Sequence, residues 1–211
     1  MTKERFDKAV KNKTAKKLLR REVESTKDVE NKLNDRLSLT YSINGLSSYN
    51  DRTKVLLIGS MIPDLFYFYF GKNDRMYGSI IDPVRKTDLQ RRKEHILNLC
   101  KANKIQDAET ERKTFIEQLK NLNIAFLDLF ECAAHLTNSY KDKDIEWYSI
   151  NHQLFEHIKS NKIVKIYAAS IPVAVLLVEK LGFSLNQFEY IQLYNGGISN
   201  EDLKEIIKKS K

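Results

Sequence analysis

The sequence of 211 residues contains only two cysteines, Cys100 and Cys132, and no apolar run long enough to span a bilayer. The cysteine spacing fits neither a metal-ligand motif nor a disulfide framework, so we expect reduced thiols and a cytoplasmic protein. The lack of a long apolar run argues against a transmembrane helix. The first residues are highly charged and contain no hydrophobic signal region.

Several motifs that carry chemistry are also missing. The sequence has no G-x-G-x-x-G, no G-x-x-x-x-G-K-[ST] and no G-x-S-x-G, so dinucleotide-binding, P-loop and nucleophile-elbow enzymes have no support. Among the four histidines, His152 and His157 would lie about 140° apart on a helix, which disfavours a shared metal. We therefore predict no metal and no cofactor.

The net charge is the first feature of the sequence that points to a function. Lysine and arginine number 36 against 28 aspartates and glutamates, which gives a net charge of +8 and a pI near 9.3. This balance favours a polyanionic partner such as nucleic acid. Residues 1–36 are charged, lack glycine and proline, and carry a sparse apolar stripe that predicts helices. We favour a solvated helix or helix pair packed on the domain; the alternative is a basic arm along a phosphate backbone.

Apolar runs alternate with helical patterns along the rest of the chain. The predicted strands are 54–60, 124–130, 162–170 and 188–195, and the predicted helices are two within 83–121, then 144–161, 172–183 and 200–211. This alternation indicates an α/β fold: three αβα layers around a central, mainly parallel four-stranded sheet. We predict a charged helical N-terminal extension over residues 1–40 and the α/β domain over residues 41–211.

Polar and aromatic residues gather near the carboxyl ends of these strands, where open α/β sheets bind ligands. Aromatic rings stack on nucleobases, and amides or carboxylates pair with base edges. A carboxylate beside a sugar's anomeric carbon can orient water and stabilise a cationic transition state. Hydrolysis of an N-glycosidic bond needs these groups and no metal. The residues are Ser60, Asp64, the aromatic run 66–70, Asn73, Asp74, Tyr77, Asp128, Asn195 and Ser199.

Four segments, in chain order, resemble motifs of the uracil-DNA glycosylase superfamily, and its mismatch-specific and hypoxanthine-type branches are the most similar. The first resembles the family's strand-plus-loop motif, and the second its aromatic-aromatic-Gly/Ala segment followed by Asn-x-aromatic-Trp. The third resembles a strand that carries an acid, and the fourth the loop that wedges into the duplex. The segments are LLIGSMIP (56–63), FYFGKNDRMYGSI (68–80), NIAFLDLFEC (123–132) and LYNGGIS (193–199), and the similarity covers residues 54–200.

The resemblance implies a monofunctional DNA glycosylase that acts on a base flipped out of DNA. It places Asp74 as the residue that activates water, with Asn73 as the rival alignment, and Asn195 in the loop that holds the opened duplex. No lysine in the matched motifs stands where a Schiff-base nucleophile is expected. The implied base-binding residues are Ser60, Phe68, Tyr69, Tyr77 and Asp128, and the implied DNA-binding residues are Lys72, Arg75, Gly196, Gly197, Ile198 and Ser199.

The sequence departs from the family patterns at two places. Met61 and Ile62 stand where the mismatch-specific branch carries an asparagine before the proline, and Asp74 stands where the hypoxanthine-type branch carries an asparagine. A non-catalytic nucleic-acid-binding module and a nucleoside hydrolase therefore stay open as alternatives.

Single residues also have structural interpretations. Asp74 could cap a turn, Asp128 could bond to the Ser60 loop for architecture, and most rings of 66–70 could pack in the core. We expect a cytoplasmic, prokaryotic-type monomer that acts on nucleoid-associated DNA.

Overall fold

The computed structural model of the protein describes residues 1–42, 49–60, 120–121, 123–136, 142–161, 165–191, 205–206 and 208–210. The helices are α1 (Lys3–Val10), α2 (Lys13–Leu18), α3 (Thr26–Glu30), α4 (His152–Ser160) and α5 (Ile171–Glu179), with a short 3-10 helix at Asp142–Asp144. The strands are β1 (Leu37–Tyr41), β2 (Val55–Gly59), β3 (Ile124–Asp128), β4 (Cys132–Leu136), β5 (Ile145–Ser149), β6 (Lys165–Ala168) and β7 (Phe188–Tyr190). No helix among these residues is long and apolar enough to cross a membrane.

The central sheet has four parallel strands in the order β3-β2-β6-β7. Each strand lies within one of the four predicted apolar runs, so the predicted α/β fold with its parallel sheet is confirmed. Strand β2 reads VLLIG, and its first four residues are buried, as expected for a parallel strand that is covered on both faces.

Both faces of the parallel sheet are covered. Leu56 and Ile58 point to one face and pack in a core with α4 and α5, which contribute Phe155 and Leu176. Leu57, on the opposite face, is also buried. Helix α5 begins after Ser170, whose side chain accepts a hydrogen bond from the Val173 N–H. It ends shortly before Gly182, which has a φ of +65° that favours glycine at a helix terminus.

A second, antiparallel sheet in the order β1-β4-β5 is absent from the sequence prediction. One face packs on α3, where Val29 contacts Cys132 and Ala134. The other face contributes Ala133 and Tyr148 to the main core. The sheet therefore lies between α3 and the core of the α/β domain.

The predicted helix over 144–161 is wrong in its first part, because residues 145–149 form β5. The helix begins only at His152, after Asn151, whose side chain accepts a hydrogen bond from the Leu154 N–H at 3.0 Å. Asparagine is a favoured N-cap because its oxygen satisfies a helix N–H that has no carbonyl partner. The predicted helices within 83–121 lie almost wholly outside the described residues, and helix 200–211 is described only at 205–206 and 208–210.

The predicted N-terminal helices are present as α1, α2 and α3, and they pack closely on the rest of the chain. Phe6 of α1 and Ala15 of α2 form an apolar cluster with Val175 of α5. The Tyr148 hydroxyl of β5 donates a hydrogen bond to the Leu18 carbonyl at 2.7 Å. The division into an extension and a domain at residue 40 stays a prediction, and strand β1 spans that position.

Candidate functional site

The carboxyl edge of the parallel sheet brings together residues that are distant in the sequence. Gly59 at the end of β2 lies opposite Asp128 at the end of β3. Beyond the strands, the Leu129 N–H donates to the Gly59 carbonyl at 2.8 Å, and the Phe130 N–H donates to the Ser60 carbonyl at 3.1 Å. These bonds fix the chain that follows β2 against the chain that follows β3. Ser60 and Asp128, both predicted to bind the base, therefore lie at the same edge.

Asp128 is completely buried, which is unusual for a carboxylate because transfer from water is costly unless the group is hydrogen-bonded. The Ser42 hydroxyl donates to its Oδ2 at 3.3 Å. Ser42 follows β1, so this contact joins the antiparallel sheet to the edge of the parallel one. The architectural interpretation of Asp128 expects a bond to the Ser60 loop; the Ser60 hydroxyl instead donates to a different acid.

That acid is Asp142, which the sequence analysis did not select. The Ser60 Oγ donates to its Oδ1 at 2.6 Å, and the Ser170 hydroxyl also bonds to its carboxyl group. Because Ser60 follows β2 and Ser170 follows β6, one carboxyl group bridges two adjacent strands of the parallel sheet. Burial raises the pKa of Asp142, while the hydrogen bonds from Ser60 and Ser170 lower it; the net direction is upward. One sequence pattern could have drawn attention to this residue: two acids, Asp142 and Asp144, come directly before the β-prone residues 145–149. Its partners, Ser60 and Ser170, follow only from the fold.

A cleft of about 440 Å³ lies beside this acid, within the size range of small-ligand sites. Its walls come from the 3-10 helix, the chain after β6, the end of β7 and the turn between α1 and α2. The residues that define it are Asn12, Thr14, Asp142, Lys143, Ser170 and Tyr190. The cleft therefore lies where open α/β sheets bind ligands, at the carboxyl ends of the strands.

The other predicted site residues lie outside the described residues. In the sequence they come after Ser60, which follows β2, or after Ile191, which follows β7. Two of the described ranges end at these residues, and both residues lie at this edge of the sheet. Among the residues that the structure describes, no group of three or more metal-ligating side chains is placed to hold a metal ion. The residues outside the description are Phe68, Tyr69, Lys72, Asn73, Asp74, Arg75, Tyr77, Asn195, Gly196, Gly197, Ile198 and Ser199.

Comparison with known proteins gives one fold similarity. No protein-family model matches the chain, and no curated protein matches it. Among solved structures, the chain is similar to the solution NMR structure of a proposed uracil DNA glycosylase from Methanosarcina acetivorans. The TM-score is 0.43 at 14% sequence identity, and the match covers 81% of this chain and 96% of that one. The fold class of this chain follows from its own strand order.

Proposed function

We propose that this protein is a monofunctional DNA glycosylase of base excision repair. It would hydrolyse the N-glycosidic bond of a damaged, mismatched or modified base that has been flipped out of DNA. The observation that carries the proposal is the register of β2 and β3, in which Gly59 of the first motif lies opposite Asp128 of the third. Two segments selected from the sequence for the same site thus end side by side at the ligand-binding edge of the sheet.

The reaction needs one water molecule and no redox partner. The water oxygen forms a bond to the anomeric carbon while the bond from that carbon to the base nitrogen breaks. The base leaves with the bonding electron pair and takes up a proton, which leaves an abasic site. In the proposal, Asp74 orients the water and stabilises the positive charge on the sugar, with Asn73 as the alternative at this position.

The remaining residues would hold the substrate. Phe68 would stack on the extruded base, and Ser60, Tyr69, Tyr77 and Asp128 would line its pocket. Asn195 and the loop that follows would hold the opened duplex, where two glycines permit close approach of the backbone and an apolar side chain can fill the vacated stack. The net charge of +8 suits a polyanionic substrate. The loop residues are Gly196, Gly197, Ile198 and Ser199, and Lys72 and Arg75 would meet phosphates.

The test is a panel of duplexes that each carry one odd base (uracil, hypoxanthine, xanthine or a modified pyrimidine), followed by alkaline cleavage at abasic sites. The wild type should produce strand breaks with at least one base. Asp74→Ala should abolish the product and still bind the duplex, whereas Asp35→Ala, at an exposed position after α3, should cleave normally. Cleavage that survives in Asp74→Ala would show that Asp74 is not the catalytic residue. A borohydride-trapped enzyme–DNA adduct would contradict the monofunctional mechanism.

One sequence feature favours a second function, a nucleic-acid-binding module without catalysis. Met61 and Ile62 occupy the position at which the mismatch-specific branch carries its asparagine. Duplex binding without an abasic product on any base in the panel would support this module. Release of base from free nucleosides alone would instead support a nucleoside hydrolase. In either DNA-binding case we propose a cytoplasmic monomer.

A further inference from the structure

The segment from the end of α1 to just after α2 carries a concentrated positive charge. Residues 8–21, KAVKNKTAKKLLRR, contain seven lysines and arginines and no acid. Three of these cations have acidic partners: Lys8 pairs with Glu4, and Lys17 and Arg21 pair with Glu146. The other four are exposed and form no ion pair with the described residues. We call these four residues the basic corner: Lys11, Lys13, Lys16 and Arg20.

The first two residues of the basic corner, Lys11 and Lys13, flank residues that line the cleft beside Asp142. Asn12 and Thr14, the sequence neighbours of Lys13, both line that cleft. Lys17 Nζ donates to the Lys143 carbonyl at 2.8 Å, and Lys143 is an exposed residue that also lines the cleft. Helix α2 therefore touches the same 3-10 helix that supplies Asp142 to the ends of β2 and β6.

The basic corner is also held in a fixed position. Ala15 and Leu18, on the inner face of α2, are both completely buried. The Asn12 side chain accepts a hydrogen bond from the Ala15 N–H at 3.1 Å, which fixes the turn that precedes the helix. Cations on a rigid support lose less freedom when they bind than cations on a flexible tail.

We propose that the basic corner binds phosphates of the DNA strand next to the extruded nucleotide. This inference rests on the proposed function, since it assigns a contact surface to the same substrate. Helix α2, Lys13–Leu18, spans about 9 Å along its axis, which equals two to three nucleotide steps of about 3.4 Å along one strand. The surface thus has the length, the charge and the position to bind a DNA strand that runs away from the carboxyl edge of the sheet.

A charge-matched pair of double variants tests the proposal. Lys11→Gln/Lys13→Gln and Lys27→Gln/Arg36→Gln both lower the net charge from +8 to +6 (8 − 2 = 6), and all four positions are exposed. The second pair lies in α3 and just before β1, away from the cleft. Fluorescence anisotropy with an undamaged duplex over a series of salt concentrations gives the slope of log K against log salt for the full-length proteins.

The first double variant should lower the magnitude of that slope by about 1.8, since each lost phosphate contact removes about 0.9. The control pair should keep the wild-type slope, and thermal unfolding should show that both variants fold like the wild type. Equal slopes for the two double variants, or a wild type that binds duplex without salt dependence, would overturn the inference.

The base-excision panel on the same proteins separates this inference from the proposed function. A wild type that binds duplex through the basic corner but excises no base would overturn the proposed function alone. A wild type that excises a base while the two double variants share one slope would overturn only the role of the basic corner.

Discussion

The parallel and antiparallel sheets differ in how their strands are covered. The parallel sheet is apolar on both faces, and in β2 every residue from Val55 to Ile58 is at most 1% exposed. The antiparallel sheet contributes only Ala133, Ile145 and Tyr148 to the main core among the residues that the structure describes, and its outer face is covered by α3 and partly by long side chains. Trp147, for example, is covered by Arg21, whose guanidinium carbon lies 4.9 Å from the ring centroid.

This difference indicates where each sheet obtains its stability. The parallel sheet depends on the apolar area that its own strands bury, which contributes roughly in proportion to that area. The antiparallel sheet depends more on specific contacts with the N-terminal segment. The backbone N–H of Val23 donates to the Tyr148 carbonyl at 2.8 Å, and the Tyr148 N–H donates to the Arg21 carbonyl at 3.1 Å.

The largest expected effect is a cavity in the parallel sheet. Leu56→Ala removes a completely buried side chain and should lower the free energy of unfolding by about 2–5 kcal/mol. Leu39→Ala removes a partly buried leucine that packs between the antiparallel sheet and α3, and should cost less than half as much. Urea unfolding of both variants measures the two losses, and equal losses would contradict the proposed difference between the sheets.

A smaller effect is expected from a single hydroxyl group in the antiparallel sheet. Tyr148→Phe removes the hydroxyl that donates to the Leu18 carbonyl at 2.7 Å, so this carbonyl keeps only the Arg21 N–H at 2.9 Å, and the change should cost about 0.5–1.5 kcal/mol. Tyr41→Phe is the matched control, because this tyrosine of β1 is 53% exposed, and its removal should change stability by less than about 0.5 kcal/mol. If the two variants are equally stable, the link between α2 and β5 does not contribute as inferred.

The smallest effect is a change in pH dependence at Asp142, where the two sheets meet. Its pKa is raised in the folded state by burial, so the folded protein retains a proton that the unfolded chain has released. The resulting stabilisation is full below the unfolded value of about 3.9 and is lost as the pH rises through the raised pKa. Asp142→Asn does not titrate, so its stability should fall less steeply than that of the wild type as the pH rises.

Urea unfolding midpoints at a series of pH values from 4 upward measure that slope, with Asp35→Asn as the charge-matched control on the surface. If the stability of Asp142→Asn changes with pH as steeply as that of the wild type, the bridge between Ser60 and Ser170 does not depend on the protonation state of this carboxyl group.

The same contrast explains which elements could be predicted from the sequence. The four parallel strands are short apolar runs. This pattern is sufficient to predict them from the sequence, because burial on both faces leaves few polar positions in such a strand. Strand β5 was missed because Ile145 and Tyr148 continue into the apolar spacing of Phe155 and Ile158 in α4, and together they imitate one long helix. The N-cap Asn151 separates the two elements, and it is the local signal that the prediction overlooked.

The site was partly predictable for a related reason. Ser60 is the last residue of the first predicted strand and Asp128 lies two residues before the end of the second, so the rule for carboxyl ends of strands places them together at one edge, as the structure shows. Asp142 follows no predicted strand. Its position depends on how the 3-10 helix packs against β2 and β6, and that packing is a property of the whole fold.

The pairing of early with late segments also sets an order for folding during synthesis. Thr40 meets His135, which lies 95 residues later in the chain, and Leu18 meets Tyr148, which lies 130 residues later. Contacts between such distant residues form slowly, because a long loop must close before any contact is gained. On the ribosome, the lysine-rich amino-terminal helices therefore remain undocked until Tyr148 has emerged. A nascent chain has the positive charge of residues 8–21 from the start, but it acquires their fixed arrangement only late in translation.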